Sequence, residues 1–332
     1  MYYADKLESL RDIWGTQEVV LNADSVVVRN HAYPVVDDVI ILLDPSLYPD
    51  HLRRRLALRR RDSVRSIDDF AEDIQFTFGK EWQKFPEILP EHEESFRHYF
   101  DLVDLVALRE ARVCDLGCGM GRWSYFLRDK CREIVLLDFS EAIFVARRNL
   151  AHAGNALFFM GDLTRLPFRN GFADFLFCLG VLHTLPTSAI EEVRALRKYA
   201  PRLLIYLFYA LDNRPFYFRL LLALVTALRL LTARVRNPLF RAGLTWAGTL
   251  GIYLPLIFLG SALRPLGLSH YIPVYEGYHD RSLQQIRQDV YDRMFTRIEH
   301  RYSRKRILTL RDTFSKVVIS DLLPYWHFLC ES

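Results

Sequence analysis

The chain has 332 residues, 51% hydrophobic and 25% charged, which is enough for one large core or two modest ones. Its formal net charge of +4 is nearly balanced, and a dedicated nucleic-acid binder would carry a larger basic excess. The basic side chains are mostly arginine, with only seven lysines. Five cysteines occur, Cys114, Cys118, Cys131, Cys178 and Cys330. None forms a C-x-x-C pair or lies near a compact histidine cluster, which argues against a zinc site. Their odd number, and a start (MYYADKLESLRDIW) without a basic-then-apolar secretory pattern, point to a reducing cytosol.

Residues 16–43 alternate in a strand-like way, with turns at Asn22-Ala-Asp and Arg29-Asn-His. They predict a small β-meander of its own over 1–49. Residues 50–69 (DHLRRRLALRRRDSVRSIDD) read as a charged connector with a solvated helix face. Contact of its arginines with a phosphate-bearing partner or an anionic membrane is the open alternative. Phe96, Tyr99, Phe100 and Val103 fall at helical spacing and predict a helical lead-in ending near 110. Trp82 and Phe85 in that lead-in are placed either to close over a ligand or to pack in the core.

From 111 the texture changes. Strand candidates at 112–117, 133–139, 156–162, 173–180 and 202–208 alternate with helices at 121–130, 141–153 and 187–199. Buried apolar strands separated by helices predict a parallel, doubly wound α/β sheet over 111–210. The first of these strands runs into RVCDLGCGMGRW, with glycines at 117, 119 and 121. A glycine-rich turn lets the backbone approach a ligand closely, a geometry that nucleotide-type cofactors use. The dinucleotide fingerprint G-x-G-x-x-G fails, because its third glycine position is Arg122, and no G-K-[ST] follows. What remains is D-x-G-x-G-x-G, with Asp115 ahead of the glycines.

VCDLGCGMGRW resembles motif I of the class I S-adenosylmethionine (SAM)-dependent methyltransferases. Three further segments resemble that family in order and spacing: IVLLDFS, FFMGDLTRLPF and FADFLFCLGVLHTLP. The resemblance implies a Rossmann-like seven-stranded sheet closed by an antiparallel hairpin (KVVISDL and YWHFLCES), with SAM as cofactor and S-adenosylhomocysteine as product. It implies ribose contacts at Asp138 with Phe139 beside the adenine, and adenine contacts at Asp162 and Leu163. The methionyl end would meet Asp115, Gly117, Cys118, Gly119 and the backbone of Leu179. A carboxylate accepting from a ribose diol makes the stronger, charge-assisted kind of hydrogen bond. Taken singly, Asp138 and Asp162 also read as caps or turn residues; the constellation favours the ligand. YPVVDDVIILL resembles the end of small zinc-ribbon-like domains that accompany some methyltransferases, here without their paired cysteines and so expected to be metal-free.

Methyl transfer needs alignment and exclusion of water, and a base only where the acceptor must lose a proton. His183, in the loop leaving the fourth strand, is the candidate base or acceptor-orienting residue; shaping the loop is its other reading. No N-P-P-[YFW], D-P-P-[YFW] or Pro-Cys follows that strand, and Cys178 lies within it. Amide or exocyclic-amine methylation, and carbon methylation through a covalent cysteine adduct, are therefore disfavoured.

Residues 211–302 break the α/β rhythm. AGLTWAGTLGIYLPLIFLGSAL (242–263) carries no charge and is long enough to span a bilayer. A single span conflicts with the chain's return to complete the sheet, and Pro255 and the glycines weaken one straight helix. Three readings stay open: a helical cap over the site, a homodimer interface, and a membrane-dipping pair of helices. Beyond it, Tyr278, His279, Arg293 and His300 are candidates for binding an acidic or phenolic group, against an ordinary polar surface. Residues 303–332 supply the closing helix and hairpin. The expected activity is methylation of an O, N or S atom of a small, partly hydrophobic acceptor, in the cytoplasm or at the inner face of the membrane. RNA methylation and a non-catalytic SAM-binding scaffold are the alternatives.

Overall fold

The structure is a computed structural model describing residues 1–58, 86–235, 237–296 and 298–332. The second part of the arginine run, Trp82 and Phe85 lie outside the described residues. Four short strands come first: β1 (Val19–Leu21), β2 (Ser25–Val28), β3 (His31–Val36) and β4 (Val39–Ile41). The central five are β5 (Arg112–Leu116), β6 (Glu133–Asp138), β7 (Ala156–Met160), β8 (Phe175–Leu179) and β9 (Arg202–Tyr206). A hairpin of β10 (Lys316–Ile319) and β11 (His327–Glu331) completes them.

These strands form one sheet in the order β1-β2-β3-β4-β7-β6-β5-β8-β9-β11-β10. The run from β7 to β9 is parallel, and β11 returns antiparallel on β9. Its strands are buried on both faces, which is why they read as continuous apolar runs rather than alternating ones. Strand β5 lies between β6 and β8, so the crossovers depart in opposite directions from it. Open α/β sheets form their ligand crevice at such a switch point.

The seven strands from β7 to β10 match the expected doubly wound sheet, but the first four do not stand apart as a module of their own. Strand β4 pairs parallel with β7, with Val39 opposite Phe158, and the Leu42 N–H donates to Met160 O (2.7 Å). All three β4 residues are buried. The helix Leu7–Trp14 adds to the join: Trp14 stacks on Tyr33 (5.7 Å) and meets Phe159 and Phe168 edge-on, and Asp12 pairs with Arg112 at the start of β5. Alternation in sequence marks a half-buried strand but not the sheet edge it joins. Part of the connector is helical (Asp50–Arg55), and Arg55 pairs with Asp37 in the β3–β4 turn, which commits that guanidinium within the chain.

The lead-in helix (Glu91–Tyr99) buries Phe96 against Phe100, with ring centroids 4.4 Å apart. The insert forms one helix at Phe216–Thr232 and a second at Pro238–Gly248. The second continues through a π-helical stretch, Thr249–Tyr253, into Leu254–Leu263. Pro255 therefore does not break it. The widened turn sits just where proline removes an N–H donor, the usual way a helix absorbs such a residue. The glycines serve close packing. A Cβ on Gly260 would come within 2.2 Å of the Tyr275 ring, and one on Gly248 within 2.7 Å of Met294.

Candidate functional site

The glycine comb lies at the C-terminal end of β5, and all three glycines have positive φ (74°, 54° and 78°). Gly117 and Cys118 both donate their N–H to Leu137 O (2.7 and 3.0 Å), which folds the comb back over the end of β6. At Gly117 a Cβ would lie 2.4 Å from Val181 Cγ2. Gly117→Ala therefore combines a left-handed backbone with a steric clash, and should cost about 2–4 kcal/mol in urea denaturation. Adding Val181→Ala should recover part of that loss; no recovery would mean that the backbone conformation alone sets the cost.

Asp138, the last residue of β6, is buried and holds the comb. Its Oδ2 accepts the Gly119 N–H (2.8 Å), and its Oδ1 accepts both the N–H (2.8 Å) and the hydroxyl (2.7 Å) of Ser140. Burial raises its pKa, while the Ser140 and Gly119 donors oppose the rise. A carboxylate offers about four acceptor positions, and three are engaged. A ribose diol binding through both oxygens would have to displace one of these donors.

Asp115, on β5, is also fully enclosed. It accepts the Ser124 hydroxyl (2.6 Å). Burial pushes its pKa up to about 8, with the Ser124 hydrogen bond and Arg122 pulling it down and Asp138 pushing it further up. Such a carboxylate is poised to gain a cationic partner, since one opposite charge restores the ionised form. That chemistry fits the α-ammonium of a methionyl group.

The remaining expected cofactor residues line the same edge. Phe139 follows Asp138 and is partly buried. Asp162 follows β7, and its Oδ1 accepts the Thr164 N–H (2.9 Å) and hydroxyl (2.7 Å), while Leu163 is buried. The Gly161 N–H donates to Asp138 O (2.9 Å), which brings the two acidic loops together. Cys118 is buried in the comb. Leu179 is the one residue of β8 with some exposure, and Gly180 and Val181 beyond it share that exposure. The C-terminal ends of four adjacent strands thus collect the residues from Asp115 to Leu179.

His183 is placed differently from a working base. Its ring is buried, stacks on Phe208 (3.8 Å between centroids) and accepts the Phe208 N–H at Nδ1 (3.4 Å). Its carbonyl accepts the His300 N–H (2.8 Å). Burial, reinforced by Arg301, His300 and Arg229, lowers its pKa to about 3. The ring is neutral near pH 7 and ties the β8 loop to the segment that follows β9.

The four acceptor candidates separate into two pairs. Tyr278 meets Tyr253 edge-on (5.2 Å) and lies near Asp289. Arg293 shares that cluster: Tyr253, Tyr278, Glu299 and Asp289 all favour its charged form. His279 is exposed and stacks on Tyr275, and His300 is exposed with only its backbone reaching His183.

The sequence reading missed several members of this cluster. Tyr99 and Tyr206 meet edge-on (5.1 Å), and burial pushes both pKa values up. Gln285 donates to Asp289 Oδ1 (2.9 Å), and burial raises the Asp289 pKa. The Tyr253 hydroxyl is buried without a hydrogen-bond partner. Arg122, the residue that breaks the dinucleotide fingerprint, acts electrostatically on Asp115, Tyr99 and Asp289. A tyrosine closing the aliphatic run RLLIY was the one visible signal; the other members become neighbours only through folding. The lead-in helix is clamped over this region by His92 Nε2 to Gln285 Oε1 (3.1 Å) and Arg281 to Ser95 (2.8 Å).

Residues 113–200 match the family described as methyltransferase domain. No curated protein matches the chain. Among solved structures, the chain is similar to phosphoethanolamine N-methyltransferase 1 of Haemonchus contortus, at 21% identity and a TM-score of 0.36. That match covers 41% of this chain and 32% of the other, so it spans about a third of that relative. A SAM-dependent methyltransferase from Aquifex aeolicus is similar at 20% identity and a TM-score of 0.33, covering 38% of this chain and 71% of that one. Magnesium protoporphyrin IX methyltransferase of Synechocystis is similar at 23% identity and a TM-score of 0.30, covering 50% and 73%.

Proposed function

We propose that this chain, whose residues 113–200 match the methyltransferase-domain family, is a class I SAM-dependent methyltransferase that methylates an O, N or S atom of a small, partly hydrophobic acceptor. The observation that carries this reading is the pairing of two sets of groups across Arg122: the comb with Asp115 and Asp138, and the cluster of Tyr253, Tyr278, Asp289 and Arg293. SAM, when bound, supplies a methyl group on a sulfonium leaving group. Asp115 would hold the ammonium of its methionyl end, Asp138 its ribose and Asp162 its adenine. The comb backbone would bring the methionyl chain close to β5, and the clamped lead-in helix would exclude water. On the acceptor side, Tyr278 and Arg293 would orient a polar or acidic group. Burial raises the pKa of Asp289, which makes it the stronger candidate proton acceptor; His183 is too weakly basic for that role.

Release of S-adenosylhomocysteine on incubating the full chain with SAM and a panel of amphiphilic hydroxy-, amino- and thiol-bearing acceptors tests the reading. Turnover on at least one supports it; turnover only on RNA would overturn it. His183→Ala should preserve S-adenosylhomocysteine binding and reduce turnover through the displaced loop, without moving the pH–rate profile. A limb near pH 6.5 that vanishes in this variant would restore His183 as the base.

A further inference from the structure

Eighteen of the twenty-four exposed large hydrophobic side chains among the described residues lie between Phe216 and Tyr271. On the helix Phe216–Thr232 they include Leu220, Leu224, Leu228 and Leu231, successive turns of one face, with Leu221 and Val225 beside them. The residues this helix buries are Phe218, Arg229 and Thr232. The next helix, Pro238–Gly248, buries Arg241, Thr245 and Gly248, and exposes Leu239, Phe240 and Trp246. The inward polar groups face polar neighbours of the chain. Arg229 pairs with Glu299 (2.6 Å), Arg241 donates to Val235 O (2.6 Å) and the Tyr291 hydroxyl (3.1 Å), and the Thr232 hydroxyl donates to Met294 O (2.5 Å). A helix on a protein facing water has the opposite polarity. Leucines outward, with Arg229 and Arg241 turned inward, suit a surface that meets a non-aqueous phase.

Charge identifies that phase. Residues 213–275 contain seven arginines and no aspartate, glutamate or lysine. Of these arginines, Arg219, Arg234 and Arg264 are exposed beside the leucine faces. A second copy docking through the same face would oppose these cations with themselves, and the segment holds no carboxylate to pair them. Anionic headgroups over acyl chains complement both the charge and the apolar area. The topology sets the depth. Strand β9 precedes the insert and pairs with β11 after it, so the insert leaves and returns on one side. The helix Leu283–Phe295 packs along both insert helices and keeps their polar faces on the domain. The helices therefore lie along a surface rather than cross it.

We propose that the 216–271 face docks the protein onto an anionic lipid leaflet, with the leucine faces in the headgroup–acyl boundary and Arg219, Arg234 and Arg264 against the lipid phosphates. This does not depend on the chemistry of the comb. The test is flotation of the full chain with phosphatidylcholine vesicles, with and without phosphatidylglycerol. The chain should float with the anionic vesicles. Binding should fall about tenfold or more without phosphatidylglycerol, in high salt, or in Arg219→Glu/Arg234→Glu/Arg264→Glu. Leu224→Glu/Leu228→Glu/Leu231→Glu should abolish it. All six positions are exposed, and circular dichroism of both variants checks the fold. No flotation with anionic vesicles, equal binding to neutral ones, or a dimer that the leucine variant dissociates without any vesicle binding would each overturn the proposal.

Discussion

Asp138→Ala should weaken S-adenosylhomocysteine binding by about tenfold or more, because an ionised acceptor is worth about 1.5–3 kcal/mol and each 1.4 kcal/mol is a decade. Two losses contribute. The ribose contact goes, and the comb loses the acceptor that holds the Gly119 N–H. The Ser140 N–H and hydroxyl are orphaned as well, so the variant should also melt earlier. Asp138→Asn separates these effects. Its amide oxygen can still accept from one donor group, so stability should be largely restored while the charged contact stays lost. Titration calorimetry and thermal denaturation of the three proteins decide the matter. Wild-type affinity in Asp138→Ala would remove this residue from the cofactor site.

Asp115 should make cofactor binding and stability depend on pH in opposite ways. Its folded pKa, about 8, lies above its usual 3.8. The unfolded chain therefore releases this proton first as pH rises. The free protein is favoured below about pH 4 and loses stability steadily up to about pH 8, by on the order of 5 kcal/mol from this one group. A cationic ammonium beside the carboxylate lowers its pKa in the complex. Binding then expels a proton, and affinity should climb with pH between about 6 and 8. Calorimetry in buffers of different ionisation enthalpy reads the proton directly. Asp115→Asn should bind with little pH dependence and lower affinity, and its free form should resist alkaline pH better than wild type. Proton uptake on binding, or an unchanged pH profile in Asp115→Asn, would show that no ammonium meets this residue.

The chain by itself determined the core sheet and where the expected cofactor residues fall along it. The buried runs 112–117, 133–139, 156–162, 173–180 and 202–208 correspond to β5–β9, with their ends trimmed by a few residues. The reason is local: strands covered on both faces leave an apolar signature, and a comb of three glycines marks a turn that side chains cannot occupy. The expected set from Asp115 to Leu179 lies within or a few residues past the ends of those strands, which is why the sequence could locate it. Tertiary structure decided what depends on distant partners. Alternation could not say that β4 would join β7, since edge pairing rests on contacts more than a hundred residues apart. His183 looked like a base in its loop, but the Phe208 ring and the desolvation that lower its pKa come from beyond β9. Asp289 and Tyr253 meet Tyr278 only when the insert packs against Leu283–Phe295. The polarity of the insert was likewise hidden. Hydropathy counts its leucines and arginines, while only packing shows that Arg229 and Arg241 face inward beside Glu299 and Tyr291, and the leucines face out.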